Sequence, residues 1–148
     1  MRYGLPLFLV LALWSCGNKQ DAVDDFHTRE ITLPGGRVIK VETMADQVDM
    51  VRGMMFRTSI APDHGMLFVH QEPGHYTYWM YQTLIPLDMI WMDAQRNVVE
   101  IVENAQPCQT QASKCPKYGG NETASYVLEL GGGMVKKYGL KNGDTIQW

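Results

Sequence analysis

The sequence holds no cluster of basic residues. Its 13 Lys and Arg are set against 16 Asp and Glu in 148 residues, a net charge of −3. A mildly acidic chain without a basic patch lacks the electrostatic footprint of a nucleic-acid binder. It has no apolar run long enough to read as a transmembrane helix, which takes about 20 residues. G-x-S-x-G and H-E-x-x-H are both missing, which removes the usual serine-hydrolase and zinc-protease signatures. Cysteine is scarce, three in all, and no two are spaced C-x-x-C. That spacing marks thioredoxin-like redox sites and zinc ribbons. There is no internal repeat. What is present is an ordinary globular composition, 45% hydrophobic and 20% charged, sufficient for one core and too short for two large ones.

The N-terminal segment reads as an address. Arg2 is the only charge before Lys19, and Leu5 to Trp14 is almost wholly apolar. This matches the apolar region of an export signal. It ends in Leu13-Trp14-Ser15-Cys16, which resembles a bacterial lipoprotein cleavage box. Residues 1–15 are therefore expected to be a signal peptide, with Cys16 as the lipid attachment site. Two or more acyl chains on such a cysteine hold a bilayer firmly, at about 0.8 kcal/mol per buried methylene. Residues 16–27 are polar and acidic and read as a flexible tether, leaving 28–148 as a single globular domain. Losing residues 1–15 also removes Arg2, which leaves 12 basic against 16 acidic residues and a charge of −4. The expected location is the cell envelope, on the periplasmic face if Gram-negative. Gly17 after Cys16, in place of Asp, permits sorting to the outer membrane.

Cys108 and Cys115 then remain as an even pair in the loop-rich stretch PCQTQASKCPKYGGN. In an oxidising compartment they are expected to form a disulfide. Closing so short a ring contributes about 2.5 kcal/mol in the chain-entropy model. The rival reading is a metal or redox pair, but six residues intervene and no His is near.

Along the domain, two β-leaning runs flank Pro34-Gly35-Gly36, a hairpin signal. Val48, Val51 and Met55 repeat at helical spacing after Asp46, a natural cap. Strand-like runs follow at Gly65–His70, Tyr76–Tyr81, Leu87–Asp93, Val98–Glu103, Ser125–Leu130 and Asp144–Trp148. A second short helix is expected over Gly132–Tyr138. With no long crossover helices between strands, most connections read as antiparallel. The expected fold is mainly β (α+β): a compact antiparallel β-sandwich or flattened barrel of seven to eight strands with two short helices.

Several motifs recur in a set order. They are Gly53-Met54-Met55-Phe56-Arg57, Gly65-Met66-Leu67-Phe68, Trp79-Met80 and Thr83-Leu84-Ile85-Pro86-Leu87-Asp88. Val102-Glu103-Asn104-Ala105, Tyr126-Val127-Leu128-Glu129-Leu130 and Gly143-Asp144 complete the set. Together they resemble the prokaryotic family called domain of unknown function 192, over about residues 28–148. The resemblance implies a compact, largely β domain and implies no activity. Some relatives carry a similar paired-Cys loop. Two features depart from the family pattern: Tyr81-Gln82 replaces a basic residue and Asn after Trp-Met, and the usual Asp-Gly near Arg96-Asn97 is missing.

Six residues form the candidate pocket: Arg57, Trp79, Met80, Thr83, Asp88 and Glu103. Asp88 shares a strand face with Ile90 and Met92, so neither side of its strand looks freely solvated. It either sits at the strand's mouth or is buried and hydrogen-bonded, where Asp88 and Thr83 would tie down a turn. Arg57 can hold an anionic group or a fold-stabilising ion pair. Trp79 and Met80 lie among Tyr76, Tyr78 and Tyr81, a wall for a planar ligand or simply core. Asp88 and Glu103 could act as an acid–base pair on a glycan. Ten Met and four His raise soft copper(I) ligation, against Met as core filler. The leading expectation is a non-catalytic, membrane-tethered domain that binds a small molecule or an envelope partner. A carboxylate-dependent hydrolase on envelope polysaccharide and a copper-binding envelope protein are the alternatives. No catalytic residue, metal site, cofactor or nucleic-acid partner is assigned, and a monomer is expected.

Overall fold

The computed structural model describes Met1 and residues 27–148. Cys16 and nearly all of the expected signal segment and tether lie outside the described residues. Eight strands and two short helices make up the domain. Six strands form one sheet in the order β1-β2-β3-β8-β5-β6: β1 (Thr28–Thr32), β2 (Val38–Met44), β3 (His64–Gly74), β8 (Ala124–Gly131), β5 (Leu87–Met92) and β6 (Val98–Ala105). The remaining two, β4 (Tyr78–Trp79) and β7 (Lys117–Tyr118), pair as a small antiparallel arm. The fold is thus mainly β as expected, and the sheet is not closed into a barrel. One pair departs from the antiparallel pattern: β2 and β3 run parallel, with Val41 opposite Gly65. A parallel pair needs a crossover, and helix α1 (Gln47–Arg52) lies within it.

The sheet is buried on both faces at its centre. Every residue of β5 is buried. On one face Leu67, Ile90, Leu128 and Leu130 pack with Ile31, Ile39 and Val41 against Val135, Leu140 and Ile146. Val135 belongs to helix α2 (Met134–Tyr138). On the other face Met66, Phe68, Met89, Trp91 and Val127 pack against Met54, Met80 and the disulfide. Cys108 and Cys115 are bonded, with Cα atoms 5.8 Å apart. Their loop carries β7 over the sheet. Gly119 follows β7 with φ +69°, and a Cβ there would lie 2.1 Å from a Trp91 ring atom. Only glycine lets the backbone approach the indole so closely.

The Pro34-Gly35-Gly36 turn joins β1 and β2, with both glycines at positive φ. Asp46 caps α1 by accepting from Val48 N–H (3.0 Å) and Asp49 N–H (2.9 Å). The expected apolar stripe of that helix is not buried. Val48 and Val51 are 78% and 60% exposed. The helix stops at Gly53, and Met54 beyond it enters the core instead. The expected last strand is reduced to isolated bridges, Thr32 to Gln147 and Asn97 to Thr145. Among the described residues no helix is long and apolar enough to cross a membrane.

Candidate functional site

The sheet forms the floor of a cavity of about 280 Å³, with α1 and its following turn on one side and the β4–β7 arm on the other. Met50, Met54 and Met55 supply one wall, and Tyr76, Tyr78, Trp79 and Tyr81 supply the opposite one. Phe68 and Glu129 rise from the floor. Arg52 and Lys117 stand at the exposed rim. A cavity of roughly 150 Å³ accepts a benzene ring, so this one fits a molecule of one or two rings.

Tyr78 is packed edge-on against Phe68 (centroids 5.0 Å apart) and Trp91 (5.8 Å). Its hydroxyl lies 3.1 Å from His70 Nε2. The His70 ring stacks flat on Tyr76 at 3.4 Å. Burial pulls the His70 pKa down to about 4, so the imidazole is neutral at pH 7. Burial likewise pushes the Tyr78 phenol far above its ordinary value. Lys117 Nζ sits 4.0 Å from the Trp79 ring centroid, a cation–π contact.

Glu129 is the unusual residue. It is 4% exposed, and its Oε2 has no hydrogen-bond partner. Burial raises its pKa to about 8, against a smaller opposing pull from the Arg57 charge. At neutral pH the carboxyl therefore holds its proton. Cross-strand register explains the neighbours. Glu42, Met66, Glu129 and Met89 lie in one row across β2, β3, β8 and β5. Two strand spacings of about 4.8 Å put Glu42 and Glu129 roughly 10 Å apart. Arg57 is engaged by Glu42 through two hydrogen bonds, one of 2.6 Å from Nη2 to Oε2. Its charge is thus neutralised nearby and does not ionise Glu129.

The six sequence-derived candidates do not share one cavity. Trp79 and Thr83 line the aromatic pocket. Thr83 is buried, and its carbonyl accepts from Gln109 Nε2 at 2.7 Å. Arg57 lines a second, neighbouring cavity with Glu42, Met44 and Phe56. Met80 is wholly buried in the core, its carbonyl accepting from Thr83 N–H and Cys108 N–H. Asp88 is also wholly buried and faces the opposite side of the sheet from Glu129. Its Oδ1 accepts from Asn104 N–H (2.8 Å) and its Oδ2 from Val135 N–H (2.7 Å). Gly133, which precedes α2, has no side chain to cap that helix. Asp88 does so from β5, linking that strand to α2 and β6 in place of the local turn with Thr83. Glu103 is exposed on β6, so no open groove lies between it and Asp88. Sequence reasoning passed over Glu129, counted His70 only among the histidines, and met Tyr78 only as part of an aromatic wall. Glu129 carried a signal, since it shares its strand face with Ser125 and Val127, both buried. Among the described residues no three His, Cys, Asp or Glu side chains gather as a metal site.

An open mixed sheet thus bears a short two-stranded arm, with an aromatic pocket and a buried carboxyl between them. The chain belongs to the domain of unknown function 192 family, an uncharacterized ACR, whose family model matches residues 30–148. It is 26% identical over 110 residues to a UPF0127 protein of Thermococcus gammatolerans, covering 73% of this chain and 65% of that protein. It is 26% identical over 99 residues to a UPF0127 protein of Thermococcus kodakarensis, covering 66% of this chain and 57% of the relative. The chain thus spans less than two thirds of the length of these relatives. Two solved structures share the fold. One is a protein of unknown function from Novosphingobium aromaticivorans, with TM-score 0.75 and 31% identity, covering 82% of this chain and 85% of that one. The other is a candidate transcription regulator from Sinorhizobium meliloti, with TM-score 0.70 and 34% identity, covering 80% and 89%.

Proposed function

We propose that this chain is a non-catalytic ligand-binding domain of the cell envelope, monomeric and held to a membrane by lipid on Cys16. The apolar run ending in Leu13-Trp14-Ser15-Cys16 supports the anchor, and the Cys108–Cys115 bond is in keeping with an oxidising compartment. The observation that carries the binding role is the aromatic pocket with an unpartnered, buried carboxyl at its base. A buried polar atom without a partner costs about 1–3 kcal/mol. A ligand that supplies the partner recovers that cost.

The hydrolase reading needed Asp88 and Glu103 across an open groove and finds no support in their placement. The copper reading keeps one favourable observation, since Met50, Met54, Met55 and His70 all line the pocket. Anaerobic copper(I) titration distinguishes it, with no binding expected.

The test is mass spectrometry on protein purified without denaturation from the membrane fraction. A retained organic molecule is expected with the wild-type chain, and Met50→Trp, which fills the pocket, is expected to lose it. Retention unchanged by Met50→Trp refutes the pocket. Unacylated full-length protein with free thiols in a soluble intracellular fraction refutes the anchor.

A further inference from the structure

We propose that the pocket selects a flat, uncharged molecule whose oxygen acceptor is met by the Glu129 carboxyl acting as hydrogen-bond donor. The inference rests on the pocket being a ligand site and names what it takes.

Shape comes first. The walls are thioether on one side and aromatic on the other, and a planar apolar body fills such a slot with stacked or edge contacts. Polarity comes next. Glu129 lines the cavity, and its Oε2 is buried and unpartnered, so the carboxyl is one polar group that the protein itself leaves unused. Its state follows from what faces it. From β4, Tyr78 presents a phenol, and from β3, His70 presents a neutral ring. Tyr76 and Tyr81 add further phenols. Arg57, the nearest cation with an influence on Glu129, is bound to Glu42 from β2. Asp88 of β5 points to the other face of the sheet. A carboxyl in these surroundings keeps its proton at pH 7 and donates rather than accepts.

The rim decides against a cationic ligand. Arg52 and Lys117 stand at the entrance, and Lys117 already occupies one face of Trp79. An organic ammonium would be repelled there, and its desolvation in the pocket would cost several kcal/mol. A ketone- or amide-type oxygen on a ring meets neither obstacle.

Three probes of similar size separate the possibilities: acetophenone, phenyltrimethylammonium and benzoate. Their affinities are read by NMR titration between pH 6.5 and 9 on the full-length protein, with Glu129→Gln and Glu129→Leu as variants. Retained β-sheet circular dichroism certifies each variant as folded. Acetophenone is expected to bind most tightly of the three at pH 6.5. Its affinity should fall about fourfold between pH 6.5 and 9, as the donor proton is lost. Glu129→Leu should weaken it about fivefold, the effect of one hydrogen bond. Glu129→Gln keeps a donor and should bind acetophenone without the pH dependence. Tighter binding of phenyltrimethylammonium or of benzoate, or equal acetophenone affinity in wild type and Glu129→Leu, overturns the inference. If the native protein retains a molecule but none of the probes binds, the ligand class is wrong and the pocket stands. If nothing is retained and nothing binds, both readings fall.

Discussion

Glu129→Gln is expected to remove a fall in stability between pH 6.5 and 8. The folded protein holds the Glu129 carboxyl near pKa 8, whereas the ordinary value is 4.5. A carboxyl raised in this way stabilises the fold while protonated in both states, below 4.5. That contribution is lost as pH rises towards 8, because the unfolded chain ionises first. Above pH 6.5 the unfolded carboxyl is fully charged and the folded one is still protonated. The slope is then about −1.4 kcal/mol per pH unit, flattening as pH 8 is reached. Integrated from pH 6.5 to 8, the loss is about 1.6 kcal/mol. His70 works in the opposite direction, since its folded pKa is depressed to about 4. Its contribution is complete only about one unit above the ordinary 6.5 and is lost as pH falls through that value, so it adds a small rise at the start of the window that both proteins share. Urea unfolding at half-unit pH steps reads the effect, with an unchanged m-value as the check on two-state behaviour. Relative to Glu129→Gln, wild type should lose about 1.6 kcal/mol across the window. Parallel profiles for the two proteins would show that Glu129 is not held protonated, and the donor role would fail with it.

Asp88→Asn should destabilise the domain by about 3 kcal/mol, because the amide nitrogen would face a backbone N–H that now has a carboxylate oxygen; chemical unfolding at neutral pH measures this. Gly119→Ala should cost about 3 kcal/mol or more, since its Cβ would overlap Trp91 and its φ is +69°. Arg57→Met should raise the Glu129 pKa further, because Arg57 is the charge that opposes burial; carboxyl carbon NMR reads the titration. The same variant should cost only about 1 kcal/mol of stability, as the pair with Glu42 is partly exposed.

Local chemistry was legible in the sequence where one residue decides one feature. Asp46 marks the helix start, Pro34-Gly35-Gly36 marks the hairpin, and Cys108 and Cys115, left as an even pair in a loop-rich stretch, point to their bond. Asp88 was singled out because a carboxylate between Leu87 and Met89 needs a reason, and the two N–H donors are that reason. Long-range pairing was not legible. The parallel match of β2 to β3 depends on a crossover of irregular chain whose path no periodicity records. Val48 and Val51 misled because helical spacing shows which residues share a side, not whether anything covers it. Glu129 escaped notice because a Glu alternating with Leu128 and Leu130 looks solvent-facing. It is buried because the β4–β7 arm and α1 roof the second face of β8.

The position of β8 has a consequence for how the molecule comes into being. This strand is synthesised after the other five strands of its sheet, yet it sits between β3 and β5 and, among the described residues, alone bridges two half-sheets. Until residues 124–131 emerge, β1-β2-β3 and β5-β6 each present a raw edge with no neighbour. A polypeptide cut short before that point would therefore yield two sticky fragments joined by a loop, and a quality-control protease would find its substrate there.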